Sequence, residues 1–474
     1  MNSPATASPT SLEKPTRVRY GVLGFACSLS MITYLDRVCF GAVAGNIQDE
    51  FGLTDWQKGL LFSAFALAYA AFEIPTGWLG DKFGARKTLI RIVLWSSIFT
   101  VLTGVIHPTP AWPLLAFLAM LVVRFLFGVG EAGAYPNIAR AFHNWFPFTE
   151  RGFVKGAVWM AGRFAGGITP LIVFALIQET VENVDGQVVK TAHWRHIFWI
   201  FGIVGSAWCI FFWLWFRDRP EQKAGVNQAE IALIHAGEAH STTPFQVPWG
   251  ALVRDRNLWA LCLMYFMGAF GWYFNISFLP GYIKSSFAVQ PAKWSWDFWI
   301  ASLMSGMPLL MGSMACLLGG VFSDMFIRST GNRKWGRRLF GVVGHGLGAL
   351  FFFSAIFVDG VWSVVMALSL AAFCNDLTMG ASWASCLDIG GKYSGIVAGC
   401  MNSIGNLGGT VAGLLTGWIL SLYTAELTQY TPLYREAEAQ GWRLNFALFG
   451  AAYVIAMILW CFFDSTKPVQ GAKD

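Results

Sequence analysis

Five ionisable residues stand inside stretches that are otherwise apolar. Arg124 and Glu131 lie in RFLFGVGEAGAYP (Arg124–Pro136), within an apolar run from about Trp112 to Ala141. Asp36 and Arg37 lie in YLDR, and Arg163 lies in MAGRFAGG. Their chemistries are complementary. A guanidinium is a planar fork that matches a carboxylate. A carboxyl desolvated by hydrocarbon ionises reluctantly, which suits it to carry a proton. Each charge costs roughly 3 kcal/mol at mid-bilayer, so residues of this kind mark a functional stripe. Arg124 and Glu131 are seven positions apart, nearly two helical turns, and share one helix face. The plainer readings are a structural ion pair at Asp36–Arg37 and a helix-packing pair at Arg124–Glu131.

The elements that position these residues are membrane helices. Of the 474 residues, 55% are hydrophobic and only 13% are charged, against about 25% charged in a soluble domain. The pattern predicts an all-α membrane protein with about 12 spans of bilayer-crossing length. These run over 18–45, 57–80, 87–107, 112–141, 151–178, 194–216, 257–284, 298–327, 336–358, 360–388, 392–422 and 443–464. Residues 1–19 read as a disordered cytoplasmic tail and 20–216 as an N-terminal six-helix bundle. Residues 217–256 read as a cytoplasmic linker with an amphipathic patch near Gln228–Ala239. Residues 257–464 form a C-terminal six-helix bundle and 465–474 a second tail. Lys and Arg concentrate in the loops on the N-terminal side of the spans, which places both termini in the cytoplasm. That clustering accounts for the net charge of +6 without any nucleic acid. The nine cysteines form no CxxC or Cys/His spacing, so neither a metal nor a disulfide is expected. His345, in the ninth span, reads as structural.

A repeat is visible. Gly77-x-x-x-Asp81 follows the second span and Gly320-x-x-x-Asp324 follows the eighth, each with basic residues downstream. Two six-span halves with a site between them at mid-membrane is a transporter plan. GWLGDKFGARK resembles the loop 2–3 signature of the major facilitator superfamily through Gly77, Asp81, Lys82, Gly84, Arg86 and Lys87. YLDR, Tyr69, R-x6-E-A-x-x-x-P, GWYFNISFLPGY (Gly271–Tyr282) and LDIGGKYSGIVAGCMNSIGN (Leu387–Asn406) resemble the anion:cation symporter family. That family includes bacterial galactonate and hexuronate carriers, the vesicular glutamate transporters and sialin.

The resemblance implies a twelve-helix fold of two six-helix halves in pseudo-two-fold arrangement. It implies Asp36 and Glu131 as the protonatable acids, Arg37 and Arg124 as ligands of a substrate carboxylate, and Tyr69 as a binding side chain. Asn402 and Asn406, one turn apart, fall on its hydroxyl-binding side, with Asn275 and Ser382 as weaker members. Interhelical hydrogen bonding is the plainer role for these amides. Arg163 stands where galactonate-type carriers have a polar amide. It either binds a second anionic end of the substrate or pairs with Asp376 of AFCNDLT. Some members flank the span 10 Asp with Ser and Thr; here Leu387 and Ile389 flank Asp388.

The expected function is proton-coupled symport of a small organic anion, a sugar acid or related mono- or dicarboxylate, by alternating access. Protons are the coupling ion and no cofactor is expected. On this reading Glu131 and the substrate compete for Arg124. The alternatives are an anion exchanger of the organic phosphate type and a non-transporting membrane sensor. No Walker A, HExxH or GxSxG pattern appears, which disfavours ATP-driven transport and an enzyme. The partners are the carboxylate substrate and the bilayer, with a monomer as the default. A short first loop, and a sequon (Asn275–Ser277) placed inside a span, favour a bacterial inner membrane.

Overall fold

The computed structural model describes residues 14–109, 111–147, 150–184, 187–235, 249–286, 295–427 and 431–469. The first half contains α1 (Arg19–Phe51), α2 (Asp55–Phe83), α3 (Ala85–Thr103), α4 (Pro113–Glu131), α5 (Ala134–Trp145), α6 (Arg151–Leu176) and α7 (Arg195–Trp215). Two short helices, α8 (Gln228–His235) and α9 (Trp249–Arg254), lie in the linker. The second half contains α10 (Arg256–Ser277), α11 (Leu279–Ser286), α12 (Trp296–Thr330), α13 (Arg333–Phe357), α14 (Val361–Gly390), α15 (Ser394–Thr424) and α16 (Pro432–Phe462). Among the described residues, 11 stretches are long and apolar enough to cross a bilayer, with α4 and α5 counted as one. The twelfth pass is α3, whose Arg86, Lys87 and Arg91 make it more polar. It packs between α4 and α7.

Local chemistry sets the helix ends. Thr54 and Gln57 form a reciprocal capping box at the start of α2, satisfying amides that have no partner within the helix. The side chains of Asp255, Ser295, Asn332 and Thr431 cap α10, α12, α13 and α16 in the same sense. Two spans are broken. Gly133, in the left-handed region at φ 83°, separates α4 from α5. The break between α10 and α11 falls just ahead of Pro280, which lacks an amide proton and disfavours helix before it. The loop between α6 and α7 is an antiparallel hairpin, β1 (Gln178–Val184) with β2 (Gln187–His193), that the sequence reading does not include.

The halves meet where α2 packs on α15, α6 on α12, and α1 on α10 and α11. Both described chain ends lie on one face of the bundle, here the terminal face; the other is the far face. The expected tails are shorter than 1–19 and 465–474. Thr16 donates to Glu230 of α8 at 2.5 Å, and Arg19 bridges Glu230 and Glu150 at 3.0 Å each. At the other end Val469 donates its amide to the Ile389 carbonyl at 2.9 Å. Each tail is therefore stitched to the terminal face over its inner residues. Residues 1–13, 236–248 and 470–474, which carry the rest of the tail and linker expectations, lie outside the described residues.

Candidate functional site

A cavity lined by both halves lies between them. The first half supplies Arg37, Tyr69 and Arg163 to its wall, with Tyr34, Tyr135 and Trp159. The second half supplies Asn402 and Asn406, with Ser382, Trp272 and Tyr273. Asn402 and Asn406 share a face of α15. The Asn406 amide donates to the Asn402 carbonyl at 2.8 Å, and its oxygen accepts from the Tyr273 hydroxyl at 2.6 Å.

Arg37 is one of two arginines in this wall. Its Nε donates to Glu131 Oε2 at 2.9 Å, and both side chains are buried. The guanidinium lies over the Tyr69 ring, 4.6 Å from its centre, an attraction between cation and ring face. The pairing is incomplete: Arg37 Nη2 and Glu131 Oε1 are buried without a hydrogen-bond partner. Glu131 ends α4, and the left-handed Gly133 two residues on turns the chain away.

This corrects the expectation that Glu131 engages Arg124. The two do share a helix face, but Arg37 arrives from α1 at bonding distance. Arg124 forms no ion pair among the described residues. It is buried against aromatic rings, 4.0 Å from the centre of Phe40 and 4.9 Å from that of Phe127. Arg124, Asp36 and Asn275 lie outside the cavity wall. Asp36 and Asn275 are buried, with Asp36 Oδ1 and both amide atoms of Asn275 unpartnered.

A second ion pair crosses the boundary of the halves. Arg163 of α6 holds Asp376 of α14 through two bonds, Nε to Oδ2 at 2.9 Å and Nη2 to Oδ1 at 3.0 Å. A further contact crosses the same boundary on α2, where the Glu73 carboxyl accepts from the Asn402 amide. Glu73 is missing from the sequence reading. Its signal is the one that marks Glu131, a lone carboxyl in an apolar run (ALAYAAFEIP), one turn beyond Tyr69. His345, read from the sequence as structural, stands in the cavity wall.

The repeated glycine motifs sit at the terminal face. Gly80 lets α2 approach α5, since a Cβ there would fall on Asn137, whereas one on Gly77 would make ordinary contact with Pro136 at 3.5 Å. Gly84, at φ 88°, joins α2 to α3, and the Arg86 amide donates to Asp218 at 2.9 Å. Lys87 is exposed, and the side chain of Asp81 lies outside the described residues. In the second copy, Arg337 bridges Asp324 and Asp388 at 3.0 Å each. Asp388 is thus a terminal-face partner of Arg337, outside the cavity wall. The acid of α14 that stands beside the cavity is Asp376.

A bundle of twelve passes in two halves, with a charged cavity between them, is the architecture of a secondary transporter. The profile of the Major Facilitator Superfamily matches residues 26–413, and the chain belongs to that family. It is a multi-pass membrane transporter rather than an enzyme. It is 32% identical over 411 residues to a probable sulfoacetate transporter of Cupriavidus necator, covering 86% of this chain and 89% of that protein. It is 29% identical over 433 residues to a probable galactarate/D-glucarate transporter of Escherichia coli, covering 88% and 90%. Its fold matches the inward-facing, unoccupied crystal structure of a bacterial homologue of the human lysosomal transporter Spinster. That match has a TM-score of 0.71 at 19% identity and covers 95% of this chain and 97% of the other.

Proposed function

We propose that the chain is a proton-coupled symporter of a small organic anion, working by alternating access of its two halves. The observation that carries this reading is the single hydrogen bond by which Glu131 holds Arg37 at the cavity wall. A substrate carboxylate that took Arg37 would leave Glu131 charged and unpaired. Breaking a buried pair in this way costs about 3–5 kcal/mol. A proton on Glu131 removes that cost, so proton and anion favour each other's binding, and linkage makes the effect reciprocal. Tyr69 keeps the guanidinium in place through its ring face when Glu131 lets go. Asp36, with an unpartnered buried oxygen, is a second acid beside the same helices. After the halves rock, the anion leaves, Glu131 loses its proton, and the Arg37–Glu131 bond re-forms for the return.

Organic acids as cargo are supported by the relatives, which are named for sulfoacetate, galactarate and glucarate. Asn402 and Asn406 offer amide groups to a hydroxylated substrate. The distribution of Lys and Arg supports cytoplasmic termini, and the bacterial relatives support a bacterial inner membrane. A monomer is sufficient, since both halves of the cavity come from one chain. In proteoliposomes, Glu131→Gln should keep substrate binding and exchange but lose accumulation driven by an inward proton gradient. Uphill uptake at the wild-type rate in that variant refutes the role of Glu131.

A further inference from the structure

The cavity has a second arginine, and a carboxylate of this chain already occupies it. Arg163 is in the cavity wall, whereas Asp376, which it holds by two parallel bonds, is set behind the wall. The Asp376 carboxylate sits in a niche of α12 that exists because residue 312 is glycine: a Cβ there would lie 2.2 Å from Oδ2. Arg163 also donates to the Tyr34 hydroxyl and lies 4.1 Å from the centre of the Trp272 ring. All three guanidinium nitrogens are thus engaged. An arginine that only braced two helices would need no place in the wall. Arg37 and Arg163 flank the same residue, each with its guanidinium carbon 5.6 Å from the centre of the Tyr34 ring. They are therefore at most twice that distance apart. Two cations this close in one cavity suit a short dianion better than a monoanion.

Resting on the symporter reading above, we propose that Arg163 is a second anion subsite and Asp376 its resident counter-ion. The substrate is a small dianion whose second acidic group displaces Asp376. Among the described residues, no other permanent cation acts on the displaced carboxylate. Tyr34 from α1, Tyr265 from α10, Cys316 from α12 and Tyr453 from α16 face it, with Cys374 and Asn375 on its own helix. His345 of α13 stands beside Asn375. An unpaired buried carboxylate is costly, so Asp376 takes a proton from the water on the side from which the substrate came. It releases that proton on the other side when Arg163 returns to it. One dianion then travels with two protons, one on Glu131 and one on Asp376, and the cycle moves no net charge.

The test uses purified full-length protein, for binding and in proteoliposomes. The probes are sulfoacetate, succinate and galactarate, set against acetate, butyrate and galactonate. Wild type should prefer at least one dianion over its monoanion counterpart by roughly tenfold, the size of one charge-assisted bond. Uptake of that dianion should be indifferent to membrane potential. Asp376→Asn frees Arg163 and removes one proton site. The dianion should then bind roughly tenfold tighter, and its uptake should be slowed by an inside-negative potential. The double variant Arg163→Gln/Asp376→Asn replaces the pair by neutral groups of like shape and guards against misfolding from an orphaned charge. In it the preference for dianions should collapse. Three results overturn the proposal: no such preference in wild type, a preference that survives in the double variant, or an Asp376→Asn carrier still indifferent to potential. Wild type that accumulates no anion of either kind under a proton gradient would refute the symporter reading itself. An active wild type without preference would refute only the second subsite.

Discussion

The Glu73 carboxyl touches the Asn402 amide across the boundary of the halves, and its second oxygen, Oε2, is buried without a partner. An amide facing an acid is satisfied whether or not the acid is charged; two acids facing each other are not. Asn402→Asp should therefore cut anion uptake at neutral pH by roughly tenfold or more. Adding Glu73→Gln, which exchanges acid and amide across the contact, should restore most of it. Uptake by the wild type, both single variants and the pair in proteoliposomes measures this, and a pair no better than Asn402→Asp would show that the contact carries no energy. The residues of this site were visible as charges in apolar runs, which is how Asp36, Arg37, Arg124, Glu131 and Arg163 are found. Their partners were not. Spacing along one helix says which side chains share a face, and Arg124 and Glu131 do. Only packing brings Arg37 from another helix to Glu131 at 2.9 Å. Asp376 was legible as one of two possible fates for Arg163, because a buried cation needs a counter-ion.

Among the elements, the break in the fourth span controls the site most directly, since Glu131 lies two residues before Gly133. Gly133 is held at φ 83°, and a Cβ there would lie 2.5 Å from Thr76 Cγ2 and 2.6 Å from Thr76 Cβ. Gly133→Ala thus adds a clash to a left-handed strain of about 1–2 kcal/mol. Gly225, at φ 94° with nothing within 4 Å of a built Cβ, is the matched control for strain alone. Gly133→Ala should lower the melting temperature in detergent clearly more than Gly225→Ala and should also reduce uptake. Equal shifts for both would mean that Thr76 yields and the bend is soft. Apolar length alone locates most of the spans, because hydrocarbon leaves the backbone no alternative to a helix. It does not show the left-handed turn at Gly133, although Pro136, three residues on, marks a break there as Pro280 marks the one after α10. The hairpin at Gln178–His193 had a signal, Asp185-Gly186 between two short segments rich in β-branched residues. The search for membrane helices passes over it.

At the scale of the whole molecule, four buried carboxyls (Asp36, Glu73, Glu131 and Asp376) accompany three buried arginines (Arg37, Arg124 and Arg163) in the middle of the bundle. Fully ionised, this group is one negative charge in excess, so an added anion is favoured only with protons on some of the acids. That charge change must be coupled to a motion of the halves, and the glycines show where the motion is braced. A Cβ on Gly306 would lie 1.7 Å from the Gly167 carbonyl oxygen, one on Gly41 would lie 2.1 Å from that of Ile276, and one on Gly59 would lie 2.5 Å from that of Gly413. All three approaches are between halves and toward the far face. Toward the terminal face the corresponding contacts are made by side chains, as where Trp159 packs on Trp383 at 5.4 Å. The structure is therefore a state closed at the far face, held by backbone-to-backbone fit that only glycine permits. Gly306→Ala removes that fit by forcing α6 and α12 apart. It should shift the equilibrium toward the state open at the far face and reduce uptake by roughly tenfold, the effect of a penalty near 1.4 kcal/mol. Thr410, buried where its carbonyl accepts from Ser63 of α2 at 2.8 Å, reports the opening. A cysteine placed there, in a background lacking Cys27, Cys400 and the exposed Cys461, should react with an impermeant maleimide from the far face faster in Gly306→Ala than in the parent. An unchanged labelling rate, alongside unchanged uptake, would mean that the glycine contact does not hold the closed state.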